Sequence, residues 1–147
     1  STMPGEGKTF ASVNLAITLA LAEKKVLLMG MDLRRPQLSK HFGLHNTEGI
    51  TSYLAGQVAD FHQLINKTEN YPTLDIFPAG YIPPNPTELI MKDRFSLMVE
   101  ELKKEYDYIV IDTAPVGAVS DTLLIDRVLI LHCILHVLLS LTNAMWN

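Results

Sequence analysis

The first ten residues, Ser1-Thr2-Met3-Pro4-Gly5-Glu6-Gly7-Lys8-Thr9-Phe10, have the residue types that grip a polyphosphate. Gly7-Lys8-Thr9 meets the end of the pattern G-x-x-x-x-G-K-[ST], with Thr2 standing where the first glycine of that pattern falls. Gly5 and Gly7 let the backbone wrap a phosphate chain, and the amides around Gly7 to Thr9, at the head of a helix, point at the anion. Lys8 would neutralise the β and γ oxygens. Thr9 would place its hydroxyl on Mg2+, an ion that keeps most of its water shell and takes few protein ligands. A glycine-rich turn that merely ends in Lys-Thr before a helix would look the same, so the rest of the site must decide.

A mononucleotide site in a parallel sheet needs acidic residues at the carboxyl ends of neighbouring strands, where the crevice opens. Asp32 ends the run VLLMGMD and Asp112 ends YIVID. Either alone is an ordinary turn residue after a strand. Beside a phosphate loop the two read as a metal and water site. Asp112 would hold Mg2+ through a water, as the acidic residue after an apolar strand does in P-loop enzymes. Asp32 would bind a metal-coordinated water or take a proton from an attacking hydroxyl.

These residues need elements to carry them. Thr9 to Lys24, rich in Ala and Leu without Gly or Pro, predicts a mostly buried helix. Val26 to Asp32 is short and almost wholly apolar, which suits a parallel strand covered on both faces. Short helical patterns follow at 37–42, 50–54 and 60–65. Leu74 to Pro78 reads as a second strand and Ala79 to Pro86 as a proline-rich loop. Asn85 is placed to cap a helix with Pro86 at its first position and Glu88 reaching back to an orphan amide. That helix is expected to run to about Lys104, with Leu89, Ile90, Met98, Val99 and Leu102 on its buried side. Asp107 to Asp112 is the third strand. The alternation of strands and helices argues one α/β domain.

The whole chain has 147 residues, a net charge of -4, 48% hydrophobic residues and one cysteine. This is too apolar and too weakly charged for a disordered chain, and Cys133 alone builds neither a disulfide framework nor a four-cysteine zinc site. The charge argues against nucleic acid as the main partner. No secretory signal is expected, since Ser1 opens directly on a glycine-rich turn. The stretch 128–139, broken by His132 and His136, falls short of the ~18 to 20 apolar residues a membrane span needs. His132, Cys133 and His136 have a spacing that could suit a metal, but chance spacing in an apolar tail is the plainer reading. His41 and His45 flank Gly43, which should end a helix, and are assigned to the surface. Asp121 reads as a helix cap.

Four blocks, STMPGEGKTF with NLA after it, VLLMGMDLRRP, FPAGYIPPNPTELI and YDYIVIDTAPVGAVSD, occur in that order. From Ser1 to about Arg127 the chain closely resembles the cytoplasmic domain of bacterial tyrosine kinases that accompany capsule and exopolysaccharide export. The resemblance implies a three-layer P-loop fold with a mostly parallel sheet, related to ParA- and MinD-type ATPases. It implies ATP with Mg2+, the nucleotide held by Pro4, Gly5, Glu6, Gly7, Lys8, Thr9 and Phe10. Lys8, Asp32 and Asp112 would be catalytic, and Thr9, Asp32 and Asp112 would face the metal. The γ-phosphoryl group would pass to tyrosines, largely in the C-terminal tail of a neighbouring subunit in a ring. A transmembrane polysaccharide co-polymerase would act as activator, which puts the domain in the cytoplasm at the inner face of the membrane. Arg34 and Arg35 stand either near the active site or an interface, or as a solvated basic pair.

The chain departs from the family in four places. Gly30 stands at the first acidic position of the usual Asp-x-Asp, leaving Asp32. The chain starts at the phosphate loop, so the strand that leads into it is expected to be missing. No tyrosine follows Tyr108, so an acceptor cluster is not expected in this chain and its kinase activity alone is expected to be weak. Residues 128–147 leave the family pattern and are expected to be a tail apart from domain 1–127, through truncation or an altered frame. A ParA- or MinD-like switch ATPase is the rival reading, although Met3 stands where those proteins usually carry a second lysine. A noncatalytic nucleotide-binding module is the third.

Overall fold

The computed structural model describes residues 6–33, 36–45, 48–91 and 93–112, without the side chains of residues 6–8, 87 and 90. The expectations placed on Pro4, Gly5, Arg34 and Arg35, and on residues 113–147 with Asp121, His132, Cys133 and His136, lie outside the described residues, as do those on the side chains of Glu6, Lys8 and Ile90.

Among the described residues four strands form one sheet: β1 (Val26–Gly30), β2 (Asn66–Lys67), β3 (Leu74–Phe77) and β4 (Tyr108–Asp112). Their spatial order is β2-β3-β1-β4. β1 runs parallel to β3 and β4, and β2 adds an antiparallel edge to β3. The sequence reading anticipated the three parallel strands and not β2, whose two residues carry no strand pattern and pair with Ile76 and Asp75.

The helices cover both faces. α1 (Glu6–Leu21) lies over one face, where Val13 and Ala16 pack with Val26, Leu28, Leu74, Ile76 and Val110. α5 (Asp93–Glu105) covers the other through Phe95, Met98, Val99 and Leu102, against Leu27, Met29, Phe77, Ile109 and Ile111. The spacing of the four α5 residues is one stripe of a 3.6-residue helix. Every residue of β1 is buried. Burying each large apolar side chain stabilises the fold by roughly 1.5–3 kcal/mol, so the two stripes bind the three layers together. Among the described residues no helix is long and apolar enough to cross a membrane.

α1 starts at Glu6, three residues before the expected Thr9, and ends at Leu21 instead of Lys24. Its end is a Schellman turn. The Glu23 and Lys24 amides donate to the carbonyls of Ala20 and Leu19 at 3.0 and 3.2 Å, with Glu23 in the left-handed region at φ 64°.

The short helices α2 (Leu38–His41) and α3 (Ile50–Leu54) and a 3-10 turn (Phe61–Leu64) fall where the helical patterns predict. The single helix expected from Pro86 to Lys104 is two, α4 (Pro86–Ile90) and α5. A tertiary contact accounts for the break. Arg94 donates from Nε to the Tyr53 carbonyl (3.1 Å) and from Nη2 to the Val58 carbonyl (3.3 Å), with its guanidinium 4.2 Å over the Tyr53 ring. The first turn of α5 is thereby set against the end of α3. Asp93 in that turn favours a fresh helix start through the helix dipole. Glu88 does reach back, but to the Asn85 side-chain amide (3.0 Å).

Gly49 and Gly80 bring the start of α3 against the loop after β3. A Cβ on Gly49 would collide with the Pro78 carbonyl oxygen and the Gly80 amide nitrogen. That closeness lets the Ile50 and Thr51 amides donate to Pro78 and Ala79 at 2.9 Å, and the Thr51 hydroxyl to Tyr81 O at 2.9 Å. The loop at the carboxyl end of β3 is held by these bonds.

Candidate nucleotide site

The apolar column on the α1 face of the sheet turns polar at the carboxyl ends of β1 and β4. Along β4, Ile109 and Ile111 belong to the α5-side core and Val110 to the α1-side core. Alternation therefore sends Asp112 to the α1 face. There its Oδ2 accepts a hydrogen bond from Thr9 Oγ1 of α1 at 2.9 Å, with Thr9 7% and Asp112 2% exposed.

Asp32 follows by the same rule. Met29, Met31 and Leu33 belong to the α5-side core, so Leu28, Gly30 and Asp32 alternate toward α1. Gly30 is the parallel partner of Asp112, and the Met31 amide donates to the Asp112 carbonyl at 2.8 Å, extending the ladder past β1. Asp32 thus stands two residues beyond the partner of Asp112, half-buried, on the neighbouring strand end. From β1 the chain crosses to β3 on one side and then returns to β4 on the other. The carboxyl ends of β1 and β4 accordingly border a topological switch point, where open α/β sheets leave a crevice for a ligand.

Among the residues expected to carry the chemistry, Thr9, Asp32 and Asp112 are brought to this end of the sheet. The backbone of Glu6, Gly7 and Lys8 forms the first turn of α1, whose amides have no intrahelical acceptor and favour an anion. Phe10 follows Thr9 on α1, with its side chain 62% exposed. A buried hydroxyl and carboxylate side by side are the donor set that suits a hard, well-hydrated cation such as Mg2+. Among the described residues no three His, Cys, Asp or Glu side chains gather as a metal cage. A cavity of about 570 Å3 opens elsewhere, between Val13 and Ile17 of α1, Phe42 and Tyr71, and is lined by none of Thr9, Asp32 and Asp112.

Two polar clusters lie outside the sequence reading. At the amino end of the sheet, buried Asp75 accepts from Tyr106 Oη (2.7 Å) and Lys67 Nζ (3.2 Å). Burial first, and then the Asp75 carboxylate, push the Tyr106 hydroxyl well above its ordinary pKa. On the surface, His62 bridges Asp60 Oδ1 and Glu105 Oε1, each at 2.8 Å. The long-range pairs that close them, Tyr106–Asp75 and His62–Glu105, are 31 and 43 residues apart and leave no spacing signal.

A family model described as an AAA domain matches residues 3–134. The chain belongs to the AAA domain family. Among the relatives of this AAA domain is the tyrosine-protein kinase CpsD of Streptococcus agalactiae, 43% identical over 126 residues that cover 85% of the chain and 54% of CpsD. The chain thus spans about half the length of that relative. The kinase domain of Escherichia coli tyrosine kinase ETK superposes with a TM-score of 0.78 at 36% identity, over 86% of this chain and 49% of that one. The septum site-determining protein MinD of Pyrococcus horikoshii OT3, complexed with Mg-ADP, gives 0.64 at 29% identity, over 84% and 51%. The AAA domain is therefore homologous to bacterial tyrosine-protein kinases and has the α/β, MinD-like fold that its motifs imply.

Proposed function

We propose that the chain is the nucleotide-binding part of a bacterial tyrosine kinase, passing the γ-phosphoryl group of ATP to a tyrosine hydroxyl. The observation that carries this reading is the buried Thr9–Asp112 hydrogen bond at the head of α1, in a chain 43% identical to a tyrosine-protein kinase. Residues 1–127 form the kinase domain on this reading, with 128–147 a segment apart.

Each residue has a role the chemistry asks of it. Pro4, Gly5, Glu6, Gly7, Lys8, Thr9 and Phe10 bind the nucleotide, mainly through backbone amides at the helix head, and Lys8 neutralises the β and γ oxygens. Thr9, Asp112 and Asp32 would hold Mg2+, which supplies charge neutralisation on the phosphates when bound. Asp32, on the crevice side of β1, orients the tyrosine hydroxyl or takes its proton. Catalysis is then mostly positioning and electrostatics, as phosphoryl transfer requires. A homo-oligomeric ring, a transmembrane activator of polysaccharide export and a place at the inner face of the cytoplasmic membrane follow from the same resemblance.

The test supplies γ-labelled ATP, Mg2+ and a tyrosine-containing peptide to the chain and to its Lys8→Met variant. Label on tyrosine that Lys8→Met abolishes supports the kinase. Free phosphate without phosphotyrosine supports a MinD-like switch ATPase, and binding without turnover a regulatory module.

A further inference from the structure

Gly30 lies directly across the ladder from Asp112, and no side chain grows from it. A Cβ there would come within 3.2 Å of both Leu38 Cδ1 and the Ala79 amide nitrogen. Leu38 is 2% exposed and is the first residue of α2, and its side chain packs onto the end of β1. Asp32 stands two residues beyond Gly30. Between them Met31 N–H donates to Asp112 O (2.8 Å), and Leu38 is seated over Gly30.

We propose that Gly30 and Leu38 are a positioning pair that sets where the Asp32 carboxylate stands. The inference rests on the nucleotide reading of the site and deepens it. Interiors are close-packed, so contacts this tight transmit a displacement of a few tenths of an ångström instead of absorbing it. A methyl group on residue 30 has two outlets. The Ala79 backbone is held by its bond to Thr51 N (2.9 Å) and yields little, so the end of β1 is pushed off Leu38 and carries Met31 and Asp32 with it. Thr9 and Asp112 belong to α1 and β4 and stay in place. The pair therefore acts on the Asp32 side of the metal position and leaves the phosphate-binding helix head alone.

The experiment titrates the 147-residue chain with ADP in Mg2+ and in EDTA, the ratio of the two affinities being the Mg2+ increment. Gly30→Ala is expected to cut the increment about tenfold and leave the EDTA affinity within about twofold, on the scale where a ~1 Å misplacement costs on the order of 100-fold. Adding Leu38→Val, which withdraws a methylene from the contact, restores the increment. In an Asp32→Asn background Gly30→Ala removes nothing further, because the two substitutions act through one group. Should Gly30→Ala not fold, Leu38→Val alone serves, with a smaller loss of the increment and a cooperative melt as control. A folded variant with an unaltered increment overturns the positioning role and leaves the nucleotide site standing. An unaltered chain that binds no ADP overturns both.

Discussion

Thr9 and Asp112 stand 103 residues apart in sequence, yet the hydroxyl of one donates to the carboxylate of the other at 2.9 Å in a buried setting. The bond joins the second turn of α1 to the last residue of β4, the two elements that border the crevice. Thr9→Ala is expected to cost about 1.5–3 kcal/mol of unfolding free energy, the range for a hydrogen bond to a charged group. Thr9→Ser should recover most of it. Asp112→Asn keeps an acceptor for Thr9 and loses the charge, so it should spare much of the stability and remove the Mg2+ dependence of nucleotide binding. Urea denaturation and nucleotide titration of the three variants read both effects.

Tyr106 offers a contrast at the amino end of the sheet. Its hydroxyl donates to Asp75, whose other oxygen, Oδ1, is buried without a partner among the described residues. Tyr106→Phe leaves the carboxylate with Lys67 as its remaining donor and should destabilise the fold by about 1–3 kcal/mol. Nucleotide affinity should not change, since Asp75 pairs with Leu27 near the start of β1, far from Asp32. An affinity loss in the folded variant would show that the two ends of the sheet are coupled.

Glu23 takes the left-handed position of the turn that ends α1, a place where glycine has no Cβ conflict. Glu23→Gly should stabilise the chain by up to about 1 kcal/mol, the left-handed penalty being partly offset by the larger unfolded-state freedom of glycine. A rise in the thermal midpoint checks it.

His62 gives the fold a pH dependence. Both ring nitrogens face carboxylate oxygens, so the ring donates to both only when protonated. The Asp60 hydrogen bond is the main cause that raises its pKa above 6.5; burial opposes it and Glu105 adds to it. A raised folded value means that the contribution is complete below 6.5 and is lost as pH rises through the higher folded value. With the His62 side chain 43% exposed, solvent and salt screen the effect to a small one. The urea midpoint should fall across that window in the unaltered chain, more clearly at low salt, and His62→Ala should flatten the fall.

The local chemistry was legible in the sequence because it is local: a glycine-rich turn before an Ala- and Leu-rich helix, and two apolar runs that end in Asp32 and Asp112. Strand positions and the short helices followed from runs and punctuation, since a buried parallel strand admits little but apolar residues. Chain folding decided what depends on partners distant in sequence. Period-two alternation puts Gly30, Asp32 and Asp112 on one face only once the face under α1 is known. The break before α5 belongs to Arg94 and the carbonyls of Tyr53 and Val58, and β2 exists only because β3 offers an edge. Likewise Gly30 in the sequence is a missing carboxylate, whereas in the fold it is the space that Leu38 needs. Short-range preferences are written in neighbouring residues. Close approach between elements depends on the shape of the whole core, which no window of sequence contains.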